Sequence, residues 1–168
     1  SSLKFIYPYY KVVLLIIKYI GEAMSINHSN YASLFFNKSF KVYFGDTDAA
    51  GVVYHGKYIY WLEAARIDFF DFLGCPYQDF QREKIGFVPV DISIQYKKPF
   101  VFADEFDIRI SVSNLSKATV SVKGDFIKSD TLYCSSVVKL TCLDEKNWKV
   151  LPLHEHFLQA LHNKAAAL

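Results

Sequence analysis

The sequence predicts an α+β domain in which an antiparallel β-sheet wraps one long buried helix. A stretch from Lys57 to Leu73 holds no Gly or Pro and is apolar on nearly every side, the mark of a helix enclosed by other structure. Four later segments alternate apolar and polar residues as half-buried strands do. Turn residues part those segments at spacings that suit hairpins better than parallel crossovers. A length of 168 residues makes one compact domain and leaves no room for a separate cofactor module.

Residues 1–23 read as an apolar extension set apart from a single domain over 24–168. The run from Leu3 to Ile20 is broken by Lys4, Pro8, Lys11 and Lys18, and its longest clean piece is Val12 to Ile17. That falls short of the ~20 apolar residues a bilayer span needs. Lys11 ahead of a short apolar stretch, with Gly21 and Ala23 beyond it, also permits a secretory signal. The one methionine, Met24, suggests a natural start there, which leaves an upstream extension or an interfacial helix as readings of the segment, its contact with a membrane open.

From Ser39 the pattern becomes short alternating segments. Lys41 to Phe44 reads as a strand ending at Gly45, and Asp46 to Gly51 as a turn-rich loop feeding the helix. Tyr58, Trp61, Leu62, Ala65, Phe69, Phe72 and Leu73 recur at helical spacing, Ile59, Ala64, Ile67 and Phe70 occupy the opposite side, and Gly74 stops the helix. Strands follow at Val88 to Tyr96, Glu105 to Val112, Thr119 to Ile127 and Leu132 to Leu143. Pro152 then precedes a terminal helix from His154 to Leu168.

Composition narrows the function. A net charge of +2 lacks the basic footprint of a nucleic-acid binder. Cys75, Cys134 and Cys142 are odd in number and form no CxxC pair, which indicates neither a disulfide framework nor a zinc ribbon and fits a reducing cytoplasm. Aromatic density is high, with 15 Phe, 12 Tyr and 2 Trp, as suits a strand-rich protein or one enclosing an apolar ligand.

Reactive residue types concentrate in Gly45-Asp46-Thr47-Asp48-Ala49-Ala50-Gly51-Val52-Val53-Tyr54-His55. Two carboxylates and a histidine lie on a loop that runs into a helix, whose first turn offers free N–H groups and a positive dipole end for a developing oxyanion. A carboxylate beside such a site acts as base or nucleophile. Asp46 and Thr47 are equally ordinary turn and capping residues, and Gly51 supplies an unusual backbone angle in either case.

The run Asp46 to His55, with Tyr58 and then Glu63-Ala64-Ala65-Arg66 on the helix, resembles the hotdog-fold acyl-CoA thioesterases of the 4-hydroxybenzoyl-CoA thioesterase type, and within them the Tol-Pal-associated branch. The resemblance covers about residues 38–152. It implies a long helix wrapped by an antiparallel sheet, Asp48 as the catalytic carboxylate, His55 in the site, and Tyr43 and Asp46 as loop supports with Gly51. It also implies basic side chains after the third strand that hold coenzyme A phosphates, where this sequence offers Lys117. Backbone N–H groups from Tyr54 through Gly56 to Lys57 are the expected oxyanion donors.

The implied function is hydrolysis of an acyl-CoA thioester to free acid and coenzyme A, for which no metal or cofactor is required. Other readings of the same fold are an enoyl-thioester hydratase and a non-catalytic acyl-CoA binding protein. Aromatic and aliphatic acyl groups both suit the composition, and His55 leans toward aliphatic ones. The family also pairs sheets edge to edge, which implies a homodimer or homotetramer with sites shared between chains. Glu63 and Arg66 read as a structural helix pair, His154 and His156 as a pair lacking metal-ligand company, His28 and His162 as solvated, and Cys75 as a small apolar filler.

Overall fold

The computed structural model describes Tyr31 and residues 33–168; the segment 1–23, Met24 and His28 lie outside the described residues. Strand β1 spans Phe35–Lys41, helix α1 Lys57–Leu73 and a short helix α2 Tyr77–Arg82. Strands β2 (Ile85–Tyr96), β3 (Glu105–Leu115), β4 (Thr119–Lys128), β5 (Thr131–Asp144) and the two-residue β6 (Lys149–Val150) follow, and helix α3 (Glu155–Ala166) ends the chain. The sheet order is β1-β3-β4-β5-β2, with β6 paired to β5, and every pairing is antiparallel. Ser129 and Asp130 both take positive φ, matching the hairpin turn between β4 and β5 to strand twist.

Helix α1 has the predicted limits. Gly74 ends it at φ 86°, a left-handed cap whose N–H donates back to Asp71 and Phe70. Its inward stripe, Tyr58, Leu62, Ala65, Phe69 and Leu73, packs in one core with Phe106, Ile108 and Ile110 of β3 and Val122 and Phe126 of β4. Helix and sheet pack tightly at Gly124, where an added Cβ would stand 2.4 Å from Leu62 Cδ1. Any side chain there has to displace the buried Leu62 side chain. Phe70, Phe87 and Phe157 join α1, β2 and α3 at centroid spacings of 5.1–5.3 Å.

Three expectations need correction. The first strand lies at Phe35–Lys41, not Lys41 to Phe44. Its pairing with β3 ends at Lys41↔Glu105, after which the Asp46 carboxylate captures the Tyr43 N–H at 2.8 Å and bends Phe44–Asp46 into a 3-10 turn. Helix α1 is not enclosed on every side, since Ile59 is 41% and Tyr60 72% exposed in the single chain. Strand β2 is likewise not half-buried throughout, because Ile92 and Tyr96 stand exposed where β2 forms the sheet edge. Among the described residues no helix is long and apolar enough to cross a membrane.

Candidate active site

The loop between β1 and α1 closes on itself through short hydrogen bonds. Asp48 N–H donates to Val52 O and Gly51 N–H to Asp48 O, both at 2.9 Å, and Ala50 N–H donates to Asp48 Oδ1 at 2.8 Å. This turn needs φ 77° at Gly51, a left-handed angle that an L side chain adopts only under strain. Bridges Thr47↔Val53 and Val52↔Val101 anchor the loop, and Val53 N–H reaches Phe100 O at 2.9 Å. Asp48 is thereby held by one carboxylate oxygen, while its Oδ2 has no intrachain partner among the described residues.

Asp46 has the opposite environment. It is 7% exposed; Oδ2 accepts the Tyr43 N–H and Oδ1 meets the Lys57 ammonium at 2.8 Å. Both oxygens are committed, so Asp46 supports the loop and Tyr43 contributes its backbone N–H rather than its exposed ring.

At the head of α1 the amides are not equivalent. Tyr54 N–H donates to Asp46 O and Lys57 N–H to Tyr54 O, each at 2.9 Å, and the Lys57 side chain is tied to Asp46. The amides expected at Tyr54 and Lys57 are therefore engaged, and those of His55 and Gly56 remain without an intrachain acceptor among the described residues. Gly56 is the N-cap, has no side-chain cap, and leaves the helix end open to an anion.

Asp48 and His55 line one pocket of about 330 Å³ with Tyr58, Tyr96, Lys97 and Lys98. The Tyr96 hydroxyl donates to His55 O at 3.0 Å, and its ring meets Tyr58 edge-on at 5.0 Å. Burial pushes the Tyr58 hydroxyl above its ordinary value, so it stays protonated. Tyr96, Lys97 and Lys98 escaped the sequence reading; the signal on offer was a Tyr-Lys-Lys-Pro run closing an alternating strand. A larger hollow of about 570 Å³ lies between Phe40 and Ser129, but its acids Glu105 and Asp107 are bound to Lys41 and Ser39.

Other expected residues fall elsewhere. Lys117 sits in the β3–β4 turn, where its carbonyl accepts from Leu153 N–H. The Asp48 loop adjoins the start of β3, so the length of that strand, ~35 Å at ~3.3 Å per residue, separates Lys117 from Asp48 within one chain. The Glu63–Arg66 pair is not formed: Glu63 is exposed, while Arg66 is 6% exposed and its Nη1 has no partner among the described residues. Burial lowers the Arg66 pKa. His154 caps α3 by accepting from His156 N–H and stands 3.4 Å from Glu83, and His162 is exposed. No group of three or more metal-ligating side chains occurs among the described residues. Cys75 is fully buried and its thiol is pushed up to about 12 by burial, which removes it as a nucleophile.

The family model described as the thioesterase-like superfamily matches residues 42–161. Acyl-CoA thioesterase YbgC of Haemophilus influenzae is 27% identical over 73% of this chain and 91% of its own. Gentisyl-coenzyme A thioesterase superposes with a TM-score of 0.70 at 33% identity, covering 74% of this chain and 99% of that one. The DHNA-CoA thioesterase of Staphylococcus aureus gives 0.73 at 25% identity over 80% and 92%. With the wrapped helix, the antiparallel sheet and the matched residues in agreement, the chain belongs to the thioesterase-like superfamily and has its hotdog fold.

Proposed function

We propose that the protein hydrolyses acyl-CoA thioesters to free acid and coenzyme A, with Asp48 attacking the carbonyl or activating water and the His55 and Gly56 amides receiving the oxyanion. The observation that carries this is that Asp48, with an uncommitted carboxylate oxygen, and His55, with an open amide, line one pocket at the head of α1, where the next amide, that of Gly56, is also open. In the water route Asp48 removes a proton as water adds to the carbonyl carbon, the oxyanion forms against the amides, and its collapse breaks the C–S bond. The thiolate leaves and takes up a proton. In the nucleophile route Asp48 forms a mixed anhydride that water then opens. The His55 ring is exposed beside both amides, where it positions water or protonates the leaving sulfur. Purified protein assayed against aromatic and aliphatic acyl-CoA thioesters with free-thiol detection tests this reading. Release of coenzyme A is expected from at least one class, and none from any class overturns it.

The active unit in this reading is a dimer. Among the described residues strand β2 pairs with β5 alone and presents Ile92 and Tyr96 to solvent, whereas the opposite edge, β1, carries lysines already paired as Lys38–Asp68 and Lys41–Glu105. Charged edges resist further pairing and apolar ones invite it, so a second copy adds at β2, next to the pocket. Light scattering is expected to give a dimer or tetramer, with specific activity falling on dilution; a fully active monomer overturns this assembly. The three free, buried cysteines suit a reducing cytoplasm.

A further inference from the structure

We propose that Arg66 finds its counter-ion across the two-fold axis of the dimer: its guanidinium meets Glu63 of the partner subunit, so that two reciprocal bridges join the two α1 helices. This rests on the assembly at β2 proposed above and names the contact that closes it. Arg66 is 6% exposed, and its Nη1 is the one buried side-chain nitrogen or oxygen without a hydrogen-bond partner among the described residues. A charge taken out of water and left unpaired is strongly unfavourable, so a buried arginine calls for an acid. Burial lowers the Arg66 pKa, and the charges of Tyr77 and Glu63 offset that only in part. Within one chain Glu63 and Arg66 form no bridge.

The stripe of α1 that carries Arg66 shows where the acid comes from. Ile59, Glu63, Arg66 and Phe70 follow one another at helical spacing along a single flank. Phe70 sets the direction of that flank, since its ring lies 5.1 Å from Phe87 of β2 and 5.4 Å from Tyr77. The other flank belongs to β1, through Asp68 on Lys38 and Trp61 at 6.1 Å from Phe40. The stripe therefore overlooks the open edge strand. Ile59 is 41% exposed there, and the exposed Glu63 makes no hydrogen bond or ion pair among the described residues. Ile92 pairs with the buried Val138, so it shares the inner face of the sheet, and it too is exposed.

Other acids near β2 are engaged or turned away. Asp79 is held by Arg82, Glu83 faces His154 at 3.4 Å, and Asp91 alternates with Ile92 onto the outer face of the sheet. Glu63 is the free acid on the right flank. A two-fold contact uses the same patch on both copies, so a chain that pairs at β2 turns its own Ile59, Glu63 and Arg66 toward this stripe. One Glu63–Arg66 contact then implies the return contact, and each buried guanidinium gains the carboxylate that its own chain does not supply. The two isoleucines, Ile59 and Ile92, border the bridges and keep water from them.

Sedimentation velocity on a dilution series of the full chain measures the dimer dissociation constant. Glu63→Gln keeps the size of an exposed residue and removes its charge, so the monomer fold is left alone. It is expected to raise the constant about thirtyfold or more, because each interface then holds two unpaired guanidinium groups. Glu63→Arg sets like charges face to face and is expected to raise it further. Asp71→Asn removes an exposed acid of the same helix that lies off this stripe, and is expected to change the constant less than about twofold. An unchanged constant in Glu63→Gln, or an equal rise in Asp71→Asn, overturns the bridge while a dimeric wild type leaves the assembly standing. A wild type that stays monomeric at every concentration overturns assembly and bridge together. Release of free thiol from acyl-CoA judges the thioesterase reading separately from both.

Discussion

Thr47 divides two stretches that differ in nearly every hydrogen bond. From Tyr43 to Asp46 the polar groups are closed off: Asp46 is buried, accepts the Tyr43 N–H, binds Lys57 and offers its carbonyl to Tyr54. From Asp48 to Gly56 they are half open: one Asp48 oxygen and the His55 and Gly56 amides have no hydrogen-bond partner among the described residues, and the exposed His55 ring meets only the Tyr54 ring there, at 4.4 Å. The two aspartates are two residues apart, yet one has both carboxylate oxygens engaged and the other has one of them open among the described residues. The closed stretch fixes the open one, as a preorganised site requires, because donors aimed in advance need no rearrangement when charge develops.

Substitutions that exchange the character of the two stretches break or sharpen this contrast. The largest effect is expected from Asp48→Asn, which keeps the turn-closing acceptor but removes the charge. kcat on the best thioester should fall ~10²-fold or more with the melting temperature nearly unchanged. Near wild-type turnover would move the chemistry elsewhere. His55→Ala comes next, with kcat reduced about tenfold and KM changed less, because in the proposed mechanism the ring borders the reacting carbonyl. A change in KM alone would make His55 a binding residue.

Asp46→Asn should act mainly on folding. It leaves the partly buried Lys57 ammonium without its counter-charge, at a cost of about 1–3 kcal/mol, read as a few degrees in thermal melts. Turnover should drop less than fivefold once the protein is folded. A loss as deep as that of Asp48→Asn would erase the distinction between the two carboxylates. Tyr96→Phe is the mildest: it removes the hydroxyl held on His55 O and keeps the ring against Tyr58. One neutral hydrogen bond is worth ~1 kcal/mol, so kcat should fall about threefold to fivefold through looser amides at the helix head. Unaltered kinetics would show that the junction holds without the strand.

Local chemistry made much of this readable. Helix α1 was legible to the residue, because a largely apolar stretch without Gly or Pro begins after Gly56 and ends at a glycine that adopts the left-handed cap. Strands β2 to β5 were legible because alternation and turn residues are both local signals. Strand β1 was misplaced because its end is set by the side chain of Asp46 folding back on Tyr43, which no pattern of hydrophobicity records.

The sequence by itself determined the helix, the alternating strands, the turn chemistry at Gly51 and the presence of Asp48 and His55 on one loop, since each depends on residues near one another in the chain. Tertiary structure alone decided which amides at the helix head stay open, that Asp46 is buried and committed, that the Glu63–Arg66 pair does not form, and that Tyr96, Lys97 and Lys98 face the loop across the pocket. The physical reason is distance along the chain. The partner of His55 O is 41 residues away, and only pairing of β2 with β5 and packing of α1 against the sheet bring such groups together.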